Sequence, residues 1–314
     1  MTTYIITGAT GLIGGTLVDY LKRDENNKLI LPVRNVLKAK ERFGKTAQII
    51  YIEHNFSSNN PLNISDNIDY IVHAACPTAS RYMVEHPVET SDTIIFGTRT
   101  MLQVAKQSHV KGMVFLSSME VYGMIGGDCD IIDESMQGYV NPLNVRSSYP
   151  MAKRMAEALC YSYAKEYAVP VVIARLAQTF GPGVDISYDM RVFAQFARCA
   201  RESHDIVLRT DGHSKRMYLH TFDAVKAIML LLTKGVEGEA YNVANKKTYC
   251  SIKEMANFVK ERFNPLIQVT IQKDGNNCYP SDTYLPLSTG KIEGLGWKPQ
   301  YGLIEMFDSI IRKG

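Results

Sequence analysis

The sequence predicts an α/β fold in which a doubly wound parallel sheet is followed by a smaller mixed α/β domain. Short apolar runs rich in β-branched residues alternate with segments of helical apolar spacing through about residue 180. A glycine-rich turn follows the first run, and the rest of the chain is more mixed. Such alternation indicates a parallel sheet with helices on both faces. We predict one domain over 1–180 and a second over 181–314, with an interleaved boundary.

The individual elements follow from the same patterns. The run Thr3-Tyr4-Ile5-Ile6-Thr7 predicts the first strand, and the apolar spacing from Leu12 to Leu21 predicts the first helix. Further strands are predicted near 28–33, 48–52, 69–74, 112–117 and 170–175, and helices near 12–23, 88–109 and 148–167. No internal repeat or low-complexity segment interrupts the series.

The turn Gly8-Ala-Thr-Gly11-Leu-Ile-Gly14 lies between the first strand and the first helix. Glycines let the backbone turn tightly and approach a pyrophosphate, while the helix N-terminus presents free N–H groups and a positive dipole end. The spacing is G-x-x-G-x-x-G rather than G-x-G-x-x-G, but its position in a strand-turn-helix unit favours dinucleotide binding over a plain turn. We therefore predict a Rossmann-type sheet.

Ligands of such sheets bind at the carboxyl ends of the strands, where Gly8, His73, Ser117 and Ser118 fall. A serine just past a strand can also simply close the strand end. His73 is predicted to be structural or adjacent to the cofactor, and not a base.

Tyr149 and Lys153 are four residues apart in a predicted helix and therefore share a face. A phenol titrates near pH ~10, and a neighbouring cation lowers that pKa. Such a tyrosine exchanges a proton with a carbonyl or hydroxyl oxygen while hydride moves at the same carbon. The alternative is an ordinary surface pair, and the upstream glycine turn favours the catalytic interpretation.

Composition excludes several classes of function. The formal net charge is +3 and acidic and basic residues are interspersed, so nucleic-acid and membrane partners are not predicted. Six cysteines without a C-x-x-C pair and seven unclustered histidines predict neither a disulfide framework nor a metal site. With no predicted leader and no apolar stretch long enough to cross a bilayer, we expect a cytoplasmic protein.

Together these features resemble the extended short-chain dehydrogenase/reductase family, in its branch of nucleotide-sugar epimerases, dehydratases, decarboxylases and ketoreductases. The resemblance extends over nearly the whole chain. Its motifs are Gly8 to Gly14, His73-Ala-Ala, Leu116-Ser-Ser-Met-Glu-Val-Tyr-Gly123, Tyr149-x-x-x-Lys153, Arg175 with Gly181-Pro182, Arg216-x-Tyr218, Tyr241-Asn-Val-Ala-Asn245 and Leu295-Gly-Trp-Lys-Pro299.

The resemblance implies roles for particular residues. Ser118 would bind the reacting carbonyl oxygen beside Tyr149, and Lys153 would also hold the nicotinamide ribose. Glu120 either assists chemistry at C5 of the sugar or is a solvent-facing carboxylate at a helix start. The implied cofactor-binding residues are Gly8, Thr10, Gly11, Leu12, Ile13, Gly14, Arg34, Asn55, Phe56, His73, Ala74, Ala75, Tyr149 and Lys153. The implied substrate-binding residues are Cys76, Ser117, Ser118, Gln178, Arg191 and Arg216.

Departures from the family patterns discriminate between reactions. Sugar 4,6-dehydratases carry an aspartate before the glutamate, whereas Met119 has no proton to give, so dehydration is disfavoured. The stretches 82–87 and 141–149 most resemble UDP-glucuronate decarboxylases. Those enzymes hold the substrate carboxylate with an arginine shortly before Leu-Gly-Trp, where this chain has Tyr284-Leu-Pro-Leu287. Without that charge-assisted anchor, decarboxylation is also disfavoured.

Arg34 follows the second predicted strand, where an acidic residue would bind the ribose hydroxyls of NAD. With Lys38 and Lys40 nearby, Arg34 favours the 2'-phosphate of NADP, although Asn35 is able to bond a ribose hydroxyl and a solvated basic loop is the alternative. We predict NADP ahead of NAD, a nucleotide-sugar 4-ketoreductase with a 4-epimerase as the alternative, and a non-catalytic family member as a third class. The resemblance also implies a homodimer.

Overall fold

The computed structural model describes residues 1–125, 130–273 and 282–312. Its strands are β1 (Thr2–Thr7), β2 (Asn27–Val33), β3 (Ile49–Glu53), β4 (Tyr70–His73), β5 (Gly112–Ser118), β6 (Val171–Leu176), β7 (Gln178–Phe180), β8 (Ile206–Leu208), β9 (Lys215–His220), β10 (Ala240–Val243), β11 (Asn245–Ser251), β12 (Val269–Ile271) and β13 (Tyr284–Leu285).

The helices are α1 (Leu12–Leu21), α2 (Val36–Phe43), α3 (Ser80–Glu85), α4 (Pro87–Ser108), α5 (Ser148–Tyr167), α6 (Val192–Glu202), α7 (Thr221–Lys234), α8 (Ile252–Phe263), α9 (Gly290–Gly294) and α10 (Leu303–Ile311). Two short 3-10 turns flank elements that carry the candidate site. Met119–Tyr122 follows β5, and Val145–Ser147 precedes α5.

Seven strands form one parallel sheet in the order β10-β6-β5-β4-β1-β2-β3. The chain winds outward from β1 to β3 and then returns to the other side of β1, where β4 pairs with it. The order therefore reverses between β1 and β4, and ligands of doubly wound sheets bind in the crevice at such a reversal. The predicted parallel α/β sheet is confirmed.

Helices cover both faces of this sheet and bury its apolar side chains in two clusters. One cluster contains Leu17, Val18 and Leu21 of α1, whose spacing gave the helix prediction. The other includes Tyr149 of α5 and Met101 of α4. Because both faces are covered, the strands are nearly uniformly apolar rather than alternating.

The remaining strands form a smaller second part. β7, β9, β11 and β13 make one small sheet, and β8 pairs with β12. A third apolar cluster around Phe180, Phe193 and Phe307 packs these strands against α6, α8 and α10. The chain crosses between the two parts, because α7 packs on α1 and β10 completes the first sheet although both follow residue 180.

Candidate active site

A cavity of about 480 Å³ opens at the carboxyl ends of the central strands. It is lined by all the residues that the sequence assigned to the site, His73 excepted. These lining residues are Gly8, Thr10, Gly11, Leu12, Ile13, Gly14, Arg34, Asn55, Phe56, Ala74, Ala75, Cys76, Ser117, Ser118, Glu120, Tyr149, Lys153, Gln178, Arg191 and Arg216.

The glycine turn forms one wall of the cavity. Gly8 has a φ of 66°, in the left-handed region that favours glycine, and a Cβ there would lie 2.6 Å from the carbonyl oxygen of Ala74. A Cβ on Gly14 would lie 2.3 Å from the carbonyl oxygen of Gly8. The turn is therefore too tight for side chains at either position. It delivers the N-terminus of α1, with its free N–H groups, to the cavity, which fits the pyrophosphate of a dinucleotide.

His73 lies behind the wall rather than in it. The Thr7 hydroxyl oxygen accepts N–H bonds from Ala74 and Ala75, both 3.0 Å, and lies 2.8 Å from His73 Nδ1. Since those two bonds occupy the hydroxyl lone pairs, its hydrogen points to Nδ1. Burial, aided by the Lys153 charge, lowers the pKa of His73 to about 3, so the ring is neutral. His73 thus holds the end of β4 and is not among the residues that line the cavity.

The cavity continues to the end of β2, where Arg34 lines it. The side-chain oxygen of Asn35 accepts the Lys38 N–H at 2.9 Å and caps α2. The side-chain oxygen of Asn55 likewise accepts from the N–H and hydroxyl of Ser57. The oxygens of both asparagines are thus already engaged within the protein.

Tyr149 and Lys153 lie in the first turns of α5 and both are buried, at 7% and 4% exposure. The Lys153 ammonium donates to the carbonyl oxygen of Leu116 at 2.6 Å, and its Nζ is 5.9 Å from the centre of the Tyr149 ring. Ser118 ends β5, and its hydroxyl oxygen accepts the Glu120 N–H at 3.2 Å. Strand β5 and helix α5 thus bring Ser118, Tyr149 and Lys153 to one wall.

The expected acidification of Tyr149 by Lys153 is not present in the structure. The pKa of the Tyr149 phenol is raised well above its usual value, with burial as the largest cause. Cys76 and Glu120 also raise this pKa, while a hydrogen bond with Ser118 and the charge of Arg146 lower it. Spacing along a helix predicts proximity but not desolvation, which here outweighs the nearby charges.

Glu120 forms an ion pair that the sequence interpretation missed. Arg146 Nη2 donates to both carboxylate oxygens of Glu120, at 3.1 and 2.8 Å, and Arg146 also lines the cavity. Its guanidinium carbon is 5.7 Å from the centre of the Tyr149 ring. Arg146 precedes Tyr149 by three residues, so helical spacing was the available signal, although the intervening turn is 3-10.

The substrate-side arginines differ in their partners. Arg191 pairs with Asp189 at 2.5 Å, which neutralises much of its charge. Arg216 donates through Nη2 to the Thr283 hydroxyl at 3.1 Å, and its Nε is buried without a partner among the described residues. Gln178 opens β7 on the same side of the cavity. Phe193 and Tyr218, two aromatic residues close to these arginines in the sequence, lie in the third apolar cluster.

Ser117 turns its hydroxyl away from Ser118. It donates to Glu157 at 2.5 Å, and Glu157 also pairs with Arg175. Arg175 in turn donates to the Tyr122 hydroxyl at 3.0 Å. This buried polar network supports the end of β5 from behind, so the Ser117 hydroxyl is already bonded within the protein.

Residues 1–125, 130–273 and 282–312 lack both a metal-binding cluster and a membrane-spanning helix. Those ranges contain no group of three or more His, Cys, Asp or Glu side chains arranged to hold a metal ion. None of the helices within them has the length and apolar character needed to cross a bilayer.

Known proteins resemble this chain both in sequence and in structure. The chain is 32% identical over 308 residues to UDP-glucuronic acid decarboxylase 5 of Arabidopsis thaliana, covering 96% of this chain and 86% of the relative. It is 26% identical over 309 residues to dTDP-D-glucose 4,6-dehydratase of Homo sapiens, covering 94% and 85%.

Among solved structures, a UDP-glucose 4-epimerase of Thermotoga maritima with UDP-glucose superposes with a TM-score of 0.84 at 20% identity, covering 99% of this chain and 98% of that one. UDP-glucuronic acid 4-epimerase of Bacillus cereus, in complex with UDP-glucuronic acid and NAD, gives 0.81 at 19% identity, covering 100% and 99%. These structures share the fold. The profile of the NAD dependent epimerase/dehydratase family matches residues 4–244. The chain therefore belongs to this family of nucleotide-sugar enzymes, the extended branch of the short-chain dehydrogenases/reductases.

Proposed function

We propose that the protein is a dinucleotide-dependent oxidoreductase that reduces the 4-keto group of a nucleotide-activated sugar, such as a 4-keto-6-deoxy sugar. The observation that carries the proposal is the meeting of Ser118, Tyr149 and Lys153 in one cavity with the glycine turn. A proton donor and a dinucleotide cradle in the same cavity are what a carbonyl reduction requires.

The cofactor we propose is NADP, with NAD as the alternative. The turn from Gly8 to Gly14 and the start of α1 would hold the pyrophosphate, and Arg34 would pair with the 2'-phosphate. Asn35 is engaged in capping α2, which weakens its candidacy as a ribose ligand. Bound NADPH supplies a hydride from C4 of its nicotinamide ring.

The protein's own residues would orient the sugar ketone and move the proton. Ser118 would donate a hydrogen bond to the ketone oxygen, and Tyr149 would protonate that oxygen as its carbon receives hydride. The raised pKa of Tyr149 keeps the phenol protonated at neutral pH, which suits a proton donor. Lys153 would hold the nicotinamide ribose and stabilise the phenolate left after proton transfer.

The charge of the cavity suits two diphosphate ligands. Of its described lining side chains, five are basic (Arg34, Arg146, Lys153, Arg191 and Arg216) and one is acidic (Glu120). We propose that Arg216, with its unpartnered Nε, contacts the diphosphate of the sugar nucleotide and that Arg191 supports it. Gln178 would contact the sugar or its phosphate.

This chain lacks the side chains on which two reactions of its relatives depend. Met119 lies in the cavity wall where a dehydratase needs an acid. The sequence has no arginine between Arg262 and Arg312, so the segment before Leu295-Gly-Trp cannot supply the bidentate arginine anchor of the decarboxylases. Leu285 and Leu287 of that segment are buried in the core. We therefore favour reduction over dehydration and decarboxylation.

A nucleotide-sugar 4-epimerase is the second candidate, and the fold similarity to the Thermotoga maritima epimerase favours it. One assay distinguishes the reductase from the epimerase. The purified protein is incubated with NADPH and UDP- or dTDP-4-keto-6-deoxyglucose, and separately with NAD+ and UDP-glucose. Loss of nicotinamide absorbance supports the reductase, and no loss contradicts it. Inversion of UDP-glucose to UDP-galactose without net cofactor consumption establishes the epimerase.

Tyr149→Phe tests the proton donor. We expect turnover to fall by about 10²-fold or more because the phenylalanine ring has no proton to give. Dinucleotide affinity should change less than threefold, which a fluorescence titration with NADPH measures. Tyr163→Phe, on the same helix outside the cavity, is the matched control and should retain activity. Full activity in Tyr149→Phe would remove Tyr149 from the mechanism.

We also propose a cytoplasmic homodimer formed through α4 and α5. These helices pack together, and they expose apolar side chains including Val88, Met151 and Met155. Contact with a second copy would remove that apolar surface from water. Light scattering coupled to size-exclusion chromatography measures the mass, and a monomer at micromolar concentration would contradict the dimer.

A further inference from the structure

Arg42 of α2 reaches across to the glycine turn. Its Nη1 donates to the carbonyl oxygen of Thr10 at 2.8 Å and lies 3.3 Å from that of Gly11. Arg42 is 32 residues from Thr10 and 31 from Gly11 in the sequence, so only the packing of α2 beside α1 brings these groups together. A charged donor on two carbonyls of one turn fixes the orientation of that turn.

Gly15 makes room for this contact. It lies inside α1, where glycine is normally less favourable than alanine. A Cβ built on Gly15 would lie 2.0 Å from Arg42 Nη2 and 2.3 Å from its guanidinium carbon. The Arg42 guanidinium therefore occupies the space that a side chain at position 15 would need. This explains in physical terms why a glycine lies inside the helix.

The contact of Arg42 with the Gly11 carbonyl affects the orientation of the N–H groups that face the cavity. A peptide unit is planar, with its carbonyl and N–H pointing in opposite directions. A bond to the Gly11 carbonyl therefore holds the Leu12 N–H directed away from Arg42. Leu12 is the first residue of α1 and lines the cavity, and the first N–H groups of a helix have no acceptor within it. Arg42 also adds positive charge beside an anion-binding turn.

We propose that Arg42 is a positioning residue for the glycine turn: it holds the Thr10 and Gly11 carbonyls so that the helix N-terminus meets the dinucleotide pyrophosphate, and Gly15 is glycine to admit it. The proposal rests on the proposed function only in that the turn binds a dinucleotide. Arg42 does not itself contact the ligand.

Three variants test the proposal: Arg42→Met, Arg42→Lys and Gly15→Ala. The dissociation constants of NADPH and NADH are measured by nicotinamide fluorescence, and thermal unfolding is recorded in parallel. We expect Arg42→Met and Gly15→Ala to raise both dissociation constants about tenfold, the scale of one charge-assisted hydrogen bond. Arg42→Lys should recover part of the loss, because an ammonium can bond one of the two carbonyls.

Gly15→Ala separates positioning from general stability. The new methyl group meets the flexible end of Arg42 and displaces it, while alanine strengthens the helix itself. The unfolding temperature should therefore be unchanged or higher while the dinucleotide dissociation constants rise. Gly294→Ala in α9, where no atom lies within 4 Å of the added Cβ, and Arg312→Met are the matched controls. Both should bind like the wild type.

The outcomes are distinct. Wild-type affinity in Arg42→Met and Gly15→Ala overturns the positioning role. A loss confined to NADPH also overturns it, because Arg42 would then contact the 2'-phosphate instead of orienting the turn. If the wild-type protein binds neither NADPH nor NADH, the proposed function itself fails and the positioning role fails with it.

Discussion

At the residue scale, the chemistry of Tyr149 depends on a small ring of neighbours. Ser118 hydrogen bonds with the phenol, the Glu120 N–H bonds the Ser118 hydroxyl, and Arg146 pairs with Glu120. The guanidinium carbon of Arg146 lies 5.7 Å from the centre of the Tyr149 ring, which closes this ring of contacts. Glu120 raises the pKa of Tyr149 and Arg146 lowers it, so the ion pair balances its own effect on the proton donor.

Breaking that balance should move the pH profile of the reaction in opposite directions. Arg146→Met leaves the Glu120 charge uncompensated, so the pKa of Tyr149 rises and the profile moves to higher pH. Glu120→Gln removes the negative charge, so the profile moves to lower pH. We expect about one pH unit each way, because Arg146 lies 5.7 Å from the Tyr149 ring centre and the two charged side chains are themselves about a third exposed. The measurement is the pH dependence of turnover with saturating NADPH.

The double variant Glu120→Gln/Arg146→Met is the internal control for this prediction. With both charges removed, its profile should return close to that of the wild type. Shifts of equal sign in the two single variants would show that the ion pair acts through structure and not through charge.

At the element scale, α5 presents Tyr149, Lys153 and Glu157 at intervals of four residues on one face. The first two line the cavity, and the third enters the buried network with Ser117 and Arg175. One helical stripe thus supplies both the reacting group and the support of strand β5. The spacing of Tyr149 and Lys153 was readable from sequence, whereas Glu157 acquired its role only from the strands that pack against it.

Glu157→Gln should destabilise the protein. Arg175 would lose the carboxylate that pairs with it in a buried setting, and breaking one side of a buried ion pair costs about 3 kcal/mol or more. Urea unfolding followed by circular dichroism measures the difference. Glu85→Gln, which breaks the exposed pair with Arg81, should cost much less, because solvent screens exposed ion pairs. Equal effects of the two substitutions would contradict a supporting role for the network.

At the scale of the whole molecule, the winding of the sheet assembles the cavity from distant segments. The reversal between β1 and β4 brings Gly8 beside Ala74, and β5 beside β6 brings Ser118 to the same edge. The returning elements α7 and β10 complete the sheet. His73 sits within this assembly as a neutral buried ring, so the fold as a whole is coupled to pH.

Stability should fall as pH is lowered from about 6.5. The folded pKa of His73, about 3, lies below its unfolded value, so the unfolded chain binds more protons between these values. The stabilisation is fully present above about pH 6.5 and is lost as pH falls toward 3, at about 1.4 kcal/mol per pH unit. Urea unfolding at pH 7, 6 and 5 gives the slope.

His73→Gln should make the free energy of unfolding fall less steeply with decreasing pH, by the contribution of one histidine. This holds whatever the effect of the substitution on stability at pH 7. His204→Gln, at an exposed position, should leave the slope unchanged. An unchanged slope in His73→Gln would contradict this prediction, because it would mean that folding does not lower the pKa of His73.

The sequence by itself determined the parallel α/β fold, the tight turn from Gly8 to Gly14 and the pairing of Tyr149 with Lys153 on one helix. These features depend on apolar periodicity, backbone freedom and four-residue spacing, which are local properties of the chain. The tertiary structure alone decided which charges are compensated: Arg146 pairs with Glu120, Arg191 with Asp189, and Arg42 fills the space beside Gly15.

The pKa of Tyr149 was likewise decided by the tertiary structure. The neighbouring cation was readable from the sequence, but the burial that outweighs it was not. Burial and long-range pairing depend on how elements distant in sequence pack together, and no local pattern encodes that packing.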